Sequence, residues 1–82
     1  MDRGLQLAAL AVGASAVVAA IELDPREVSW LRAVGVFEGE RLTVLRRAPF
    51  GGPLHLRTSS GAAFAVDRDL ARSVRVALAP AS

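Results

Sequence analysis

The chain has 82 residues, of which 52% are hydrophobic and 22% charged, and its formal net charge is +2. This composition predicts one small folded domain, 1–82, and leaves no room for a catalytic cleft between two domains. The absence of cysteine and the single histidine exclude disulfides, thiolate nucleophiles, cysteine zinc sites and multi-histidine metal sites within one chain.

The first part of the chain is an uncharged run of 18 residues, Gly4 to Ile21, which reaches the length of a membrane-spanning helix. Nine of them are alanine or glycine, so the driving force for membrane insertion is weak. The start, Met1-Asp2-Arg3, has no net side-chain charge, unlike a signal peptide. We therefore expect a cytoplasmic protein without direct membrane insertion, with a helical turn over Leu5–Leu10 and a buried strand over Ala16–Ile21.

The clearest local signal is the start of a helix at Asp24-Pro25. The Asp24 carboxylate can cap the first backbone N–H groups, and Pro25 suits the first helical position because its missing N–H costs nothing there. Leu31 lies on the apolar side of this segment. Gly35 offers the left-handed conformation that ends a helix, so a short helix is predicted over 25–34.

The second half of the chain shows apolar residues at alternate positions between turn-forming residues, which is typical of short strands. Strands are predicted over 41–48, 54–57, 62–66 and 74–78. One helical turn is predicted before the last strand. Asp67 and Asp69 at the start of that turn are interpreted as capping and helix-dipole residues rather than as a catalytic pair.

These elements predict a mainly β fold with about five strands, one short α-helix after the first strand and a helical turn before the last. Strands this short leave edges that must be closed or covered. A small SH3-like β-barrel achieves this with about this many residues. We therefore expect a single SH3-like domain.

Five blocks, in this order and spacing, resemble the ferrous iron transport protein A (FeoA) family. The blocks are Leu7–Gly13, Leu31–Val36, Glu38-Gly39, Leu42–Leu54 and Asp69–Val76. The fourth block is the most specific, because the family pattern there is Ala-Pro, an apolar residue, Gly, Asp, Pro and another apolar residue. The match extends over nearly the whole chain.

The sequence departs from the family pattern at two places. Gly52 stands where the family usually has Asp, which removes a carboxylate from the loop. Ala65-Val66-Asp67 replaces a stretch that more usually contains arginine. These departures put a specific polar or ion contact of the loop in doubt without affecting the fold.

The resemblance implies a small cytosolic accessory protein of bacterial ferrous iron uptake that is not an enzyme and has no cofactor. Its expected partner is the membrane GTPase transporter FeoB, which it would bind by protein–protein contact. Similar barrels also occur as C-terminal domains of iron-dependent transcriptional regulators, so the alternative is a regulatory adapter. No helix-turn-helix pattern is visible, which argues against direct DNA binding. The oligomeric state stays open, and a homo-oligomer is compatible with the sequence.

The candidate partner-binding surface combines the 46–55 loop with the helix. Phe50 is a large apolar side chain at a hairpin tip, and arginines with aromatic residues are typical of binding hot spots. The alternative is that the loop residues only shape the turn and that Phe50 folds over the barrel. The predicted contact residues are Leu31, Arg46, Arg47, Phe50, Gly51, Gly52 and Pro53.

Residues 41–60 carry four arginines and no acidic residue. This cluster fits a solvated strand face, an acidic protein partner or nucleic acid, and the scarcity of aromatic residues argues against nucleic acid. His55 alternates with two leucines and is expected to face solvent. A lone histidine without nearby acids is not expected to hold a metal, so no metal site and no catalytic residue are predicted.

Overall fold

The structure is a computed structural model that describes residues 5–78, and its elements follow the predicted order with one addition. The addition is a two-residue first strand, which precedes a 3-10 turn over Leu7–Ala9. The strands are β1 (Leu5–Gln6), β2 (Ser15–Ile21), β3 (Arg41–Arg47), β4 (Leu54–Thr58), β5 (Ala63–Val66) and β6 (Val74–Leu78). The helices are α1 (Pro25–Val34) and α2 (Arg68–Arg72).

The six strands form one antiparallel sheet in the order β1-β6-β2-β3-β4-β5. β1 and β5 are therefore the two edges of an open sheet, and the prediction of a barrel is wrong in this respect. The cause is the shortness of β1, which leaves the sheet after two residues to form the 3-10 turn. α2 connects β5 to β6 and packs against the 3-10 turn, so helical segments lie where further strand pairing would close a barrel.

The hydrophobic core lies on the inner face of this sheet, where the apolar residues at alternate positions meet. In β3 and β4 the inward residues are Leu42, Val44, Leu54 and Leu56, all of them fully buried as the alternation predicts. The 3-10 turn, α1 and α2 cover the parts of the core that the sheet leaves open. The buried residues they contribute are Leu7, Ala8, Leu31 and Ala71.

The structure confirms α1 with the predicted bounds. Oδ1 of Asp24 accepts hydrogen bonds from the backbone N–H groups of Arg26 at 2.9 Å and Glu27 at 3.1 Å. Gly35 ends the helix in the left-handed conformation, with φ of +107°. All of these contacts are local, which explains why the sequence pattern was sufficient.

The helical turn before the last strand is also confirmed, as α2, but the predicted capping by Asp67 is confirmed in position only. Asp67 occupies the N-cap position, and its carbonyl oxygen accepts from the N–H of Ala71 at 2.9 Å. Its side chain makes no capping hydrogen bond. Asp69 forms an exposed ion pair with Arg72 within the same helix.

The uncharged run from Gly4 to Ile21 does not form a single helix. Over the described part it forms β1, the 3-10 turn and β2, and Gly4 itself lies outside the described residues. No helix within residues 5–78 is long and apolar enough to cross a membrane.

Candidate protein-binding site

The loop between β3 and β4, here called the hairpin tip (residues 48–53), is a hydrogen-bonded tight turn. The N–H of Gly52 donates to the carbonyl oxygen of Pro49 at 3.1 Å, and the N–H of Ala48 donates to that of Pro53 at 3.1 Å. The two central residues, Phe50 and Gly51, both have positive φ, +59° and +72°. Positive φ at both central positions is typical of a type I′ turn, which matches the twist of hairpin strands.

Phe50 combines two unfavourable features at this tip. Its side chain is fully exposed, at 103% relative accessibility, so the alternative that it folds over the core is wrong. A left-handed backbone costs a residue with a side chain about 1–2 kcal/mol, and an exposed Phe forgoes about 1.5–3 kcal/mol of burial. Glycine or asparagine would satisfy the turn, so the turn itself does not account for an aromatic residue here.

The tight turn leaves no room for a side chain at Gly52. A Cβ atom on Gly52 would lie 2.8 Å from Cβ of Ala48 and 3.1 Å from the carbonyl oxygen of Pro49. The first of these distances is shorter than real Cβ contacts allow. The close approach is a consequence of the tight turn, so Gly52 shapes the tip.

A β-bulge in β3 separates the roles of the two arginines that flank the tip. The register shifts between Val44, opposite Leu56, and Arg46, opposite His55. Bulges insert one residue and re-aim the side chains that follow. Arg46 is therefore exposed on the outer face of the sheet, and Arg47 turns toward the inner face.

Arg47, predicted as a partner contact, is half-buried and also supports the fold. Its Nη1 donates to the carbonyl oxygens of Ala8 at 2.9 Å and Leu10 at 2.6 Å. These carbonyls belong to the 3-10 turn and the residue that follows it. Arg47 thus ties the start of the chain to β3, and a substitution there would alter folding before it altered binding.

Leu31 is corrected as a contact residue. It is 0% exposed and is the buried residue of α1. The helix periodicity places its side chain at the centre of the face that covers the core. A partner could not touch it without removing the helix from the sheet.

A shallow groove of about 230 Å³ connects the hairpin tip to α2. Arg68 links α2 to the hairpin tip, because its Nη2 donates a hydrogen bond to the carbonyl oxygen of Ala48 at 3.3 Å. Ligand pockets for small molecules are usually about 300–1,000 Å³, so this groove suits a side chain better than a metabolite. The lining residues are Gly51, Gly52, Pro53, Asp67, Arg68, Asp69 and Arg72. The sequence pattern did not indicate the α2 side of this groove.

The outer face of β3 and β4 is basic. Arg46 lies opposite His55, and Arg57 lies opposite Thr43. Among residues 5–78, the ion pairs within 4 Å are Arg72–Asp69 and Arg75–Glu22, so neither Arg46 nor Arg57 has a carboxylate partner there. Within the same range, no three His, Cys, Asp or Glu residues come together as metal ligands.

The open six-stranded sheet with its covering helices defines a class, the small domains of SH3-like fold. The FeoA domain model matches residues 5–78, and the chain therefore belongs to the FeoA family. The resemblance drawn from the sequence blocks is thus confirmed. No curated protein matches the sequence at a significant level.

Two solved FeoA proteins resemble the chain along most of its length. The solution structure of the FeoA protein from Chlorobium tepidum has a TM-score of 0.85 and 28% identity, covering 93% of this chain and 71% of that one. A crystal structure of an iron uptake regulatory protein (FeoA) has a TM-score of 0.78 and 26% identity, covering 89% and 93%.

A domain of a larger protein is similar to the same degree. A manganese-dependent transcriptional repressor in complex with manganese has a TM-score of 0.86 and 28% identity. It covers 96% of this chain, but this chain covers only 38% of the repressor. The fold is therefore shared between free-standing FeoA proteins and one part of a metal-dependent repressor.

Proposed function

We propose that this protein is a cytosolic accessory protein of bacterial ferrous iron uptake that docks on the cytosolic part of the membrane GTPase transporter FeoB. Membership of the FeoA family implies an accessory role in ferrous iron transport, and that family is not known for enzymatic activity. The docking partner and the contact surface are the parts that we add.

The observation that carries the proposal is Phe50, fully exposed with a left-handed backbone at the end of a rigid hairpin. Burying this side chain in a partner pocket would recover about 1.5–3 kcal/mol. The contact surface consists of Phe50 with Gly51, Gly52 and Pro53 of the tip and the exposed Arg46 beside it. Apolar burial would provide affinity, and the arginine would orient an acidic partner surface.

Docking at the tip would act on the transporter by changing its assembly or its nucleotide cycle. The tip is suited to this because two hydrogen bonds across the loop and the Arg68 contact fix it before binding. A preformed contact loses little conformational entropy on association.

The test is a pull-down of tagged protein from detergent-solubilised cells, followed by titration of the recovered transporter. Phe50→Asn removes the aromatic side chain and keeps a residue that tolerates positive φ. We expect it to weaken transporter binding by about tenfold or more, because hot-spot aromatic residues contribute at this level.

The control is Val12→Asn, which removes another exposed apolar side chain from a turn between the 3-10 turn and β2. It should bind the transporter like the unmodified chain. Equal recovery by Phe50→Asn and the unmodified chain would move the interface away from the tip. Recovery of no transporter by any version would remove FeoB as the partner.

The second candidate function is a regulatory adapter, and the similarity to part of the manganese-dependent repressor favours it. In that case the same pull-down would recover a soluble DNA-binding regulator rather than a membrane GTPase. Sensitivity of that recovery to Phe50→Asn would show that the hairpin tip is used in either setting.

A further inference from the structure

β5 is an edge of the sheet, and its outward backbone groups are not bonded within residues 5–78. The N–H of Thr58 donates to the carbonyl oxygen of Ala62 at 2.9 Å. Antiparallel pairs alternate between bonded and non-bonded, so Phe64 and Val66 direct their backbone groups toward β4. The N–H and C=O groups of Ala63 and Ala65 therefore point away from the sheet.

This edge has no charge, proline or bulge to protect it against pairing with another strand, and with four residues β5 is twice as long as β1. Natural edges are blunted by shortness, charge, proline or bulges. β1, at the opposite edge, is only two residues long. Residues 62–66 contain no charge and no proline, and the register between β4 and β5 is regular.

The side chains beside the edge determine which residue types an added strand would carry. Ala63 and Ala65 are exposed and small, and they lie opposite Arg57 and His55 of β4 on the outer face. Long acidic side chains of an added strand could pass over the alanines and reach these basic groups. On the other face, Phe64 is half-buried beside the core and offers a contact for apolar side chains.

We propose that β5 accepts an extended segment of a partner protein, with acidic and apolar residues in alternation, as a seventh antiparallel or parallel strand. Main-chain hydrogen bonds to Ala63 and Ala65 would give affinity, and the basic outer face would give specificity, as in other cases of strand addition. A second copy of this chain fits less well, because it would bring a second Arg57 and His55 to the same face.

This surface is separate from the Phe50 side chain and does not depend on the transporter proposal. The probe is a fluorescently labelled peptide of alternating glutamate and valine, capped at both ends, with an alternating lysine and valine peptide as its counterpart. Binding is followed by fluorescence anisotropy and by backbone amide shifts in NMR spectra. We expect the acidic peptide to bind and to shift the amide signals of Ala63 and Ala65. Its binding should weaken at high salt.

Two variants separate strand addition from binding to the basic face alone. Ala65→Pro removes an outward N–H without removing a bond to β4, and an edge strand tolerates proline at such a position. It should weaken peptide binding by about tenfold. Ala65→Val keeps the N–H and should bind within about threefold of the unmodified chain.

Arg57→Glu should reverse the preference, so that the lysine peptide binds better than the glutamate peptide. Circular dichroism melts confirm that each variant is folded. Equal binding by Ala65→Pro and the unmodified chain, or equal binding of both peptides to the unmodified chain, would overturn the proposal. A dimer in sedimentation that Ala65→Pro abolishes would also overturn it, since the occupant of the edge would then be a second copy.

Discussion

Arg47 donates a hydrogen bond of 2.6 Å to the carbonyl oxygen of Leu10, which precedes it by 37 residues. The same nitrogen also bonds the carbonyl oxygen of Ala8. One side chain therefore satisfies two backbone groups at the end of the 3-10 turn. This contact holds the first segment of the chain against β3, and it exists only because the bulge turns Arg47 inward.

Replacing Arg47 should destabilise the fold. We expect Arg47→Met to lower the free energy of unfolding by about 2–3 kcal/mol, because two half-buried carbonyls lose a charged donor. The measurement is urea denaturation followed by circular dichroism. Arg46→Met, on the exposed side of the bulge, should change stability by no more than about 0.5 kcal/mol. Similar losses for the two variants would contradict the structural role of Arg47.

The hairpin tip should become more stable when Phe50 is replaced by a residue that tolerates its left-handed backbone. Phe50→Asn and Phe50→Ala both remove the exposed ring, but only asparagine is enriched at positive φ. We expect Phe50→Asn to exceed Phe50→Ala in stability by about 0.5–1 kcal/mol. Thermal melts of the two variants decide this. If alanine were equal or better, strain at Phe50 would not be the reason to infer a binding role.

Gly35 should resist substitution for two separable reasons. Its φ of +107° strains any side chain, and a Cβ would lie 3.1 Å from Cγ2 of Thr58. We expect Gly35→Ala to lower the free energy of unfolding by about 1–3 kcal/mol. At Gly39, φ is +93° and no atom lies within 4 Å of an added Cβ. Gly39→Ala therefore measures the backbone strain alone and should lower the free energy of unfolding by less.

A double-mutant cycle tests the contact between these two residues directly. Thr58→Ser removes the methyl group and keeps the hydroxyl that accepts from the N–H of Ala62 at 3.2 Å. Gly35→Ala should therefore be less costly in the Thr58→Ser background. Strict additivity of the two changes in chemical denaturation would show that the contact is unimportant.

Introducing aspartate at position 52 should destabilise the hairpin tip. The Cβ of Gly52→Asp would meet Cβ of Ala48 at 2.8 Å. We expect a loss of about 1–3 kcal/mol, as for other overpacked sites. Adding Ala48→Gly to the Gly52→Asp chain should recover part of the lost stability, because it removes the Cβ atom that clashes with the new side chain. An unchanged melting temperature for Gly52→Asp alone would show that the turn adapts without cost.

The sequence alone was sufficient where the deciding contacts are local. The Asp24 cap and the Gly35 stop act within a few residues of the chain, and α1 has the predicted bounds. Alternation of apolar residues likewise predicted the inward faces of β3 and β4, because side-chain direction in a strand follows from its period of two. The turn residues also predicted that Phe50 lies at a hairpin tip, but its exposure was decided only by the structure.

Only the tertiary structure decided the features that depend on distant parts of the chain. The bulge in β3 turns Arg47 toward the inner face of the sheet, and the burial of Leu31 in the core removes it from the surface. The order of the strands leaves β5 as an edge and the sheet open. Periodicity shows which residues share a face, but pairing, register shifts and the cover of an edge arise from contacts between segments far apart in sequence, which no local pattern encodes.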